Sequence, residues 1–266
     1  MSSAGVDYLA DSAPWTRGIT VTNARGVYAV PMAEYVMTAV LSASQRVEER
    51  RQLQESRKWP ESFIDYEIHG VRGKTMVIIG YGAVGRETAR VASAFGMRIM
   101  AVKADPTAST SATFHEPGTG DPEGILPERI VGVDALDSLL PDADYVVVAA
   151  PLTPGSRHLL DARRLRLLAG GTWVINVARG AVIEEAALIE VLSEQRIGGA
   201  WLDVFSYEPL PDTSRLWSLP NTVVTPHLSG GNRESLSVLT DLCCENLRRY
   251  VAGDDLLNVV DPRKGY

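Results

Sequence analysis

The stretch Lys74-Thr-Met-Val-Ile-Ile-Gly-Tyr-Gly-Ala-Val-Gly85 decides the fold of this chain. Its first part, Thr75–Ile79, is apolar and rich in β-branched residues, which predicts a short buried strand. The three glycines that follow it, Gly80, Gly82 and Gly85, have G-x-G-x-x-G spacing. A strand followed at once by this spacing predicts a tight turn into a helix.

Each of these glycines meets a different steric demand of a dinucleotide site. Gly80 permits the turn, Gly82 lets a pyrophosphate approach the backbone, and Gly85 lets the helix pack close to the strand. Residues Arg86–Ala94 predict that helix, whose N-terminus offers N–H groups and the positive end of its dipole to phosphate. The stretch therefore predicts a dinucleotide site, with a glycine-rich turn of some other βαβ unit as the alternative.

The composition is that of an ordinary globular protein and argues against several classes of function. Of 266 residues, 45% are hydrophobic and 22% are charged, and the formal net charge of −7 disfavours general affinity for nucleic acid or anionic membranes. Only two cysteines occur, Cys243 and Cys244, adjacent in a helical pattern and without metal-ligand spacing. We therefore expect no metal site and a reducing, cytoplasmic location. No signal peptide or apolar run of membrane-spanning length is visible in the sequence.

Apolar strands alternate with helices over the rest of the chain, which predicts an α/β fold with a doubly wound parallel sheet covered on both faces. The predicted strands are Arg98–Lys103, Tyr145–Pro151, Thr172–Ala178, Gly199–Phe205 and Asn221–Thr225, and the predicted helices are Ala135–Leu140, Ala162–Leu168 with Asp161 as its cap, Glu184–Gln195, and Asn232–Val251 with Gly253 as its stop. Residues Ala104–Ile130 are rich in Pro, Gly, Thr and Ser without periodicity, and they predict a long surface loop.

The region before the glycines contains little strand and one long helix. Val6–Leu9 and Ile19–Thr22 are short strand-like pieces that cannot bury a core of their own. Pro31–Trp59 predicts a helix whose first half, Met32–Ala43, is apolar nearly all round, whereas its second half is densely charged. A helix that is apolar on every side must be buried, either in a core or against a second subunit. We favour a homodimer interface formed by Pro31–Ala43.

Three polar residues follow predicted strands at their carboxyl ends, where ligands bind in sheets of this kind. They are Arg179, Glu208 and His227. Arginine offers a planar fork that matches a carboxylate or keto acid, histidine exchanges a proton near neutral pH, and a neighbouring carboxylate orients the imidazole ring and favours its charged form. Each residue also has a purely structural interpretation: Arg179 caps a strand end or pairs with a surface carboxylate, Glu208 is a solvated loop residue, and His227 is a turn histidine whose ring is bonded to the backbone.

Seven further stretches, spread over essentially the whole chain, accompany the glycines. They are Ser3-Ala-Gly-Val-Asp7, Val21-Thr-Asn-Ala-Arg-Gly26, Ala33-Glu-Tyr35, Pro151-Leu-Thr-Pro154, Asn176-Val-Ala-Arg-Gly180, Asp203-Val-Phe-Ser-Tyr-Glu-Pro-Leu-Pro211 and Thr225-Pro-His227. Together they resemble the D-isomer-specific 2-hydroxyacid dehydrogenases, which include glyoxylate/hydroxypyruvate reductases, phosphoglycerate dehydrogenases and formate dehydrogenase. The resemblance implies a Rossmann dinucleotide-binding domain and hydride transfer between NAD(P)H and a 2-oxo or D-2-hydroxy acid.

The resemblance also implies a role for each polar residue. His227 is implied to be the general acid/base and Glu208 its partner, while Arg179 is implied to hold the carboxylate and carbonyl of the substrate. Asp203 is implied to face the nicotinamide carboxamide. The full set of residues that we expect to bind the cofactor is Gly80, Gly82, Ala83, Val84, Gly85, Lys103, Pro151, Thr153, Val177, Ala178 and Asp203.

The choice between NAD and NADP depends on the end of the second predicted strand. Relatives often carry there an acidic residue that accepts hydrogen bonds from the ribose diol, whereas this chain has Lys103. A cation cannot accept from the diol but suits a 2′-phosphate, so we favour NADP. The alternative is that Lys103 is an exposed strand-end lysine and that Asp105 takes the acidic role.

The chain differs most from that family at its beginning. Members usually start with a flavodoxin-like segment of several dozen residues before the Ala-Gly-Val-Asp stretch, which here begins at residue 4. The N–H groups around Ala4 and Gly5 are implied to help bind the substrate carboxylate. We expect residues 1–26 and 231–266 to form a partial flavodoxin-like substrate domain, and residues 27–230 to form the dinucleotide-binding domain. A dehydrogenase-like regulatory protein that binds a dinucleotide without turnover is the alternative function.

Overall fold

The protein is built on a seven-stranded sheet in which every strand is parallel to its neighbours. The computed structural model describes residues 1–6, 17–62, 68–107 and 113–261. The strands are β1 Thr75–Ile79, β2 Arg98–Val102, β3 Arg129–Val131, β4 Tyr145–Val148, β5 Trp173–Asn176, β6 Gly199–Leu202 and β7 Thr222–Val224. Their order across the sheet is β3-β2-β1-β4-β5-β6-β7. The predicted doubly wound parallel sheet is confirmed.

Six α-helices accompany the sheet in the part of the chain that the structure describes. They are α1 Ala29–Ser44, α2 Val47–Glu55, α3 Ala83–Ala94, α4 Ala162–Leu165, α5 Glu185–Ser193 and α6 Ser235–Ala252, with short 3-10 turns at Val133–Ser138, Leu140–Asp142, Gly180–Val182 and Arg215–Trp217. The carboxylate of Asp161 accepts a hydrogen bond from the Arg164 N–H and caps α4. Gly253 adopts a φ of +79° and ends α6. Among the described helices, none is both long and apolar enough to cross a membrane.

Side chains alternate between two cores along the central strand. Met76 and Ile78 of β1 point to one core, which α1 and α3 cover, and Val77 and Ile79 point to the other, to which α5 contributes. All five residues of β1 are buried, because both faces of the sheet are covered. The strand that precedes the glycines is therefore a rigid support for the turn that follows it.

The prediction of one continuous helix over Pro31–Trp59 is wrong. It is divided into α1 and α2 at Arg46, which adopts a left-handed φ of +49°. The apolar half of the prediction packs within the chain itself, where α1 contacts α3 and buries Ala33, Val36 and Val40. Burial in a core, the alternative kept open from sequence, therefore accounts for much of that apolar surface. A homodimer through α1 stays a prediction.

The surface loop predicted over Ala104–Ile130 is also wrong in part. Its end forms β3, which pairs with β2, and Asp121 within it is only 4% exposed. The Gly120 N–H donates to the buried carboxylate of Glu87 on α3, over 2.6 Å. Residues 120–124 thus contact the helix that begins at the glycines, and residues 108–112 lie outside the described part.

A segment near the start of the chain, residues 21–25, contacts a segment near its end, residues 258–260. The predicted strand Ile19–Thr22 is only an isolated antiparallel bridge between Thr22 and Val259, and the prediction for Val6–Leu9 falls mostly on residues outside the described part. Asn258 is fully buried and its amide donates to the backbone oxygens of Asn23 and Arg25. This contact joins residues from both parts of the proposed substrate domain, whose boundaries stay a prediction.

Candidate active site

The glycine turn, residues 80–85, has the geometry that its spacing predicts. Gly80 has a φ of +102°, and a Cβ there would overlap the backbone of Ala149 and Ala150. A Cβ on Gly85 would overlap the carbonyl oxygen of Gly80. A Cβ on Gly82, in contrast, would meet no atom of the described chain within 4 Å. The turn is therefore tight on two sides and open at the position where a phosphate is expected to approach.

The start of α3 suits an anion. Gly82 is the N-cap, no side chain caps the helix there, and its first turn contains no acidic residue. The first N–H groups of a helix have no partner within it, and its dipole places partial positive charge at this end. The residues present therefore fit a dinucleotide pyrophosphate.

The candidate acid/base pair lies beyond the ends of β6 and β7. The Nδ1 atom of His227 is 2.7 Å from Oε2 of Glu208. The second carboxylate oxygen of Glu208 accepts a hydrogen bond from the Phe205 N–H over 3.0 Å, so the carboxylate is held by its own turn. The side chains of His227 and Glu208 are 49% and 36% exposed. The ring is thus oriented through Nδ1 while the pair stays accessible to a small molecule.

The turn that carries Arg179 is in backbone contact with the turn that carries Glu208. Gly180 lies so close to Phe205 and Ser206 that a Cβ would overlap their main chain. The buried side chain of Asn176 shapes the first turn, since its Nδ2 donates to the Arg179 oxygen and its Oδ1 accepts from the Ala178 N–H. The turns that carry the predicted arginine and the predicted carboxylate therefore meet at one edge of the sheet, and the Arg179 guanidinium donates to the Ala178 oxygen over 2.8 Å.

Asp203 directly follows β6 and is fully buried. Its two carboxylate oxygens accept hydrogen bonds from the N–H groups of Leu228 and Ser229, at 2.9 and 2.8 Å. Its backbone oxygen accepts from the His227 N–H over 2.9 Å. In the described chain Asp203 therefore holds the loop that carries His227, and its predicted contact with a nicotinamide stays a prediction.

The other predicted cofactor residues follow β4 and β5. Pro151 and Thr153 form a compact turn in which Ser156 Oγ donates to the Pro151 oxygen over 2.6 Å and accepts from the Thr153 N–H over 2.8 Å. Val177 and Ala178 lie in the turn after β5, where the Val177 N–H bonds to the Val148 oxygen. All four positions lie at the same edge of the sheet as the glycine turn, together with Ala83 and Val84 at the start of α3.

Ala4 and Gly5 lie on a segment that Asn23 and Tyr28 hold by hydrogen bonds. The Asn23 side chain donates to the Ala4 oxygen over 2.8 Å, and the Tyr28 hydroxyl donates to the Ser2 oxygen over 2.6 Å. Tyr28 in turn packs against Gly230, in the loop that follows the histidine. The substrate contact of residues 4 and 5 stays a prediction.

Lys103, predicted as the last residue of the strand, directly follows β2 and is partly buried. Burial lowers the pKa of Lys103, the nearby charge of Arg86 lowers it further, and Asp105 opposes both effects. The Asp105 carboxylate accepts hydrogen bonds from the N–H and hydroxyl of Thr107. Arg86 and Lys103 therefore lie close enough for their charges to interact, and Asp105, whose charge also acts on Lys103, accepts hydrogen bonds within its own loop.

Sequence reasoning missed a polar cluster beside the glycine turn. Arg86 is 9% exposed, its guanidinium stacks 4.8 Å from the centre of the Tyr81 ring, and its Nη1 donates to the Asp121 oxygen. The Tyr81 hydroxyl donates to the Asp121 carboxylate over 2.5 Å, and burial raises the pKa of Tyr81. The position of Arg86 directly after Gly85 was the available signal, but its partner lies 35 residues away.

Comparisons with known proteins place the chain in one family of dehydrogenases. The family model for the NAD-binding domain of D-isomer-specific 2-hydroxyacid dehydrogenases matches residues 37–229. The chain is 29% identical over 259 residues to a glycerate dehydrogenase of Methylorubrum extorquens, covering 95% of this chain and 75% of the relative. It is 30% identical over 266 residues to a glyoxylate reductase of Thermococcus litoralis, covering 97% and 75%.

Solved structures that resemble this chain come from the same family. A D-isomer-specific 2-hydroxyacid dehydrogenase of Xanthobacter autotrophicus Py2, in complex with NADPH and MES, is 32% identical with a TM-score of 0.82, over 99% of this chain and 77% of that one. An NADPH-dependent glyoxylate/hydroxypyruvate reductase of Sinorhizobium meliloti, in complex with NADP and sulfate, is 26% identical with a TM-score of 0.82, over 99% and 78%.

Proposed function

Because the chain belongs to the D-isomer-specific 2-hydroxyacid dehydrogenase family, we propose that it reduces a 2-oxo acid, or oxidises a D-2-hydroxy acid, with His227 as general acid/base. The observation that carries this proposal is the 2.7 Å contact between His227 and Glu208 at the sheet edge that also holds the Arg179 turn. A protein that only senses a dinucleotide has no need of these three side chains together.

The chemistry follows from the arrangement of the three residues. With Nδ1 engaged by Glu208, Nε2 of His227 is the ring nitrogen that gives a proton to the carbonyl oxygen in reduction and takes it back in oxidation. Glu208 stabilises the charged ring before that transfer and keeps its orientation. Arg179 binds the substrate carboxylate through its planar fork. A nicotinamide dinucleotide, when bound at the glycine turn, supplies or accepts the hydride.

A spectrophotometric assay tests this function. Purified protein is incubated with reduced cofactor and, in separate reactions, with glyoxylate, hydroxypyruvate and aromatic 2-oxo acids, and oxidation of the cofactor is followed. Turnover of any of these acids supports the enzyme. Tight binding of the cofactor without turnover of any acid supports the alternative, a regulatory dinucleotide-binding protein.

NADP is the proposed cofactor, because a 2′-phosphate would meet the charge of Lys103. We expect NADPH to bind more tightly than NADH in a fluorescence titration. Lys103→Met should weaken NADPH binding roughly 10- to 100-fold and leave NADH binding nearly unchanged, since charge-assisted hydrogen bonds contribute about 1.5–3 kcal/mol. Lys74→Met, at the opposite end of the central strands and paired with Asp144, is the control. Tighter binding of NADH by the unaltered chain would exclude the preference.

Arg179→Lys tests the substrate anchor. The variant keeps the charge but loses the bidentate fork, so we expect kcat/KM for a 2-oxo acid to fall roughly 10- to 100-fold. The fall should be accompanied by little change in cofactor affinity. Arg166→Lys is the matched control, because Arg166 is exposed and pairs with Glu190 on the surface. An unaffected kcat/KM in Arg179→Lys would remove this residue from the substrate site.

We also propose that the chain forms a homodimer through Pro31–Ala43 and that it is located in the cytoplasm. Met32 and Leu41 on α1 stay partly exposed, which leaves apolar surface on this helix for a second subunit. Both cysteines are unpaired, as suits a reducing compartment. Light scattering of the purified chain tests the dimer, and a monomeric mass at micromolar concentration contradicts it.

A further inference from the structure

We propose that Tyr35, on helix α1, is a positioning residue for His227 that acts through the side chains of Thr225 and Asp203. The inference rests on the proposed function, in which His227 transfers the proton. It assigns to α1 a role at the reacting edge of the sheet, in addition to its role in the core.

The backbone of His227 needs external support. Its φ of +55° lies in the left-handed region, which a residue with a Cβ adopts only at a cost in free energy. Its N–H donates to the backbone oxygens of Asp203 and Thr225, at 2.9 and 3.1 Å. The direction of the imidazole therefore depends on how firmly the segment 225–229 is held.

Asp203 provides most of that support. It is fully buried, and its carboxylate binds the N–H groups of Leu228 and Ser229, the two residues that follow the histidine. The same carboxylate accepts the Thr225 hydroxyl over 2.6 Å, so it also holds the residue two positions before the histidine. Both sides of His227 are thereby tied to one carboxylate.

Tyr35 completes the chain of hydrogen bonds. Its hydroxyl contacts Thr225 Oγ1, whose single proton is given to Asp203, so Tyr35 must be the donor. Burial raises the pKa of Tyr35 to about 12, which keeps this donor protonated at any physiological pH. The ring lies edge-on to Trp201 of β6, with centroids 6.4 Å apart. The Tyr35–Thr225–Asp203 chain thus connects α1 to the loop of His227.

Two variants interrupt the Tyr35–Thr225–Asp203 series of hydrogen bonds, and a third variant preserves it. Tyr35→Phe removes the donor, Thr225→Val removes the bridging hydroxyl at nearly constant volume, and Thr225→Ser keeps that hydroxyl. We expect kcat to fall about tenfold in the first two variants, with the Kd for NADPH changed less than about twofold, and to be largely retained in Thr225→Ser. The double variant Tyr35→Phe/Thr225→Val should be no worse than Thr225→Val alone, because both changes interrupt one chain.

The readouts separate positioning from simple support of the fold. Tyr145→Phe is the matched control, since Tyr145 is a buried tyrosine at the opposite end of the central strands, and it should leave kcat unchanged. A kcat of Tyr35→Phe equal to that of the unaltered chain would overturn the inference. Equal losses of kcat, NADPH affinity and melting temperature in that variant would also overturn it, because they indicate a general structural effect.

Hydrogen exchange of the amides of residues 227–229 tests the same inference without activity. We expect faster exchange in Tyr35→Phe and Thr225→Val than in Tyr145→Phe. If the unaltered chain turns over no 2-oxo acid, the proposed function fails, and exchange alone then decides whether Tyr35 holds this loop. Unchanged exchange at 227–229 would overturn the inference in either case.

Discussion

We expect His227→Ala to lower kcat by roughly 10²- to 10⁴-fold, the range that a positioned general acid/base contributes. The Nδ1 atom of the ring lies 2.7 Å from Oε2 of Glu208, and 49% of the His227 side chain is exposed. Dinucleotide affinity should stay nearly unchanged, because the glycine turn and the Pro151–Ser156 turn follow the central strands β1 and β4, whereas His227 follows the edge strand β7. The measurement is kcat with a 2-oxo acid beside a cofactor titration of the same preparation.

His69→Ala is the matched control for this variant. His69 is exposed and lies before β1, at the edge of the sheet away from the catalytic turns, so its loss should leave kcat unchanged. Turnover retained by His227→Ala would exclude His227 as the acid. A loss of both turnover and cofactor binding would instead place His227 in the binding site.

Sequence reasoning predicts the parts of the fold that are determined by residues close together in the sequence or on adjacent strands. A five-residue apolar run and three glycines are sufficient to place β1, its turn and α3, since the close neighbours of Gly80 lie on the adjacent strand's end and those of Gly85 lie only a few positions away. The catalytic candidates were found from a rule of the same kind, that ligands bind beyond the carboxyl ends of parallel strands. The structure brings Glu208 and His227 into contact, as that rule suggests.

The parts that sequence reasoning missed depend on distant contacts. Tyr81 and Asp121 are 40 residues apart, and the loop composition around Asp121 gives no sign that its carboxylate is buried. Tyr35 and Thr225 are 190 residues apart. The break at Arg46 was hidden because charged residues with good helix propensity flank it on the C-terminal side. The contacts of Tyr81 and Tyr35 are tertiary contacts, which periodicity and spacing do not encode.

Alanine substitutions of two glycines in the glycine turn should have large but different effects. One should lower the stability of the fold, and the other should lower dinucleotide affinity. A methyl group on Gly85 overlaps the Gly80 oxygen and also approaches Ile78 Cγ2 at 3.0 Å, so α3 must move away from β1. We expect Gly85→Ala to lose on the order of 3 kcal/mol of folding free energy, the upper end for overpacking. For a chain of this length, that corresponds to a fall in melting temperature of roughly 10 °C.

Gly82→Ala should leave the fold intact and damage only the site. Gly82 has a φ of −90°, which alanine adopts without strain, and its added methyl group meets no atom of the described chain within 4 Å. The methyl group occupies the space through which a pyrophosphate approaches the helix N-terminus, so dinucleotide affinity should fall by at least about tenfold. Melting temperature and titration together separate the two variants. If Gly82→Ala binds the dinucleotide as tightly as the unaltered chain, the phosphate does not lie at this turn, and the cofactor site must be sought elsewhere along the same edge.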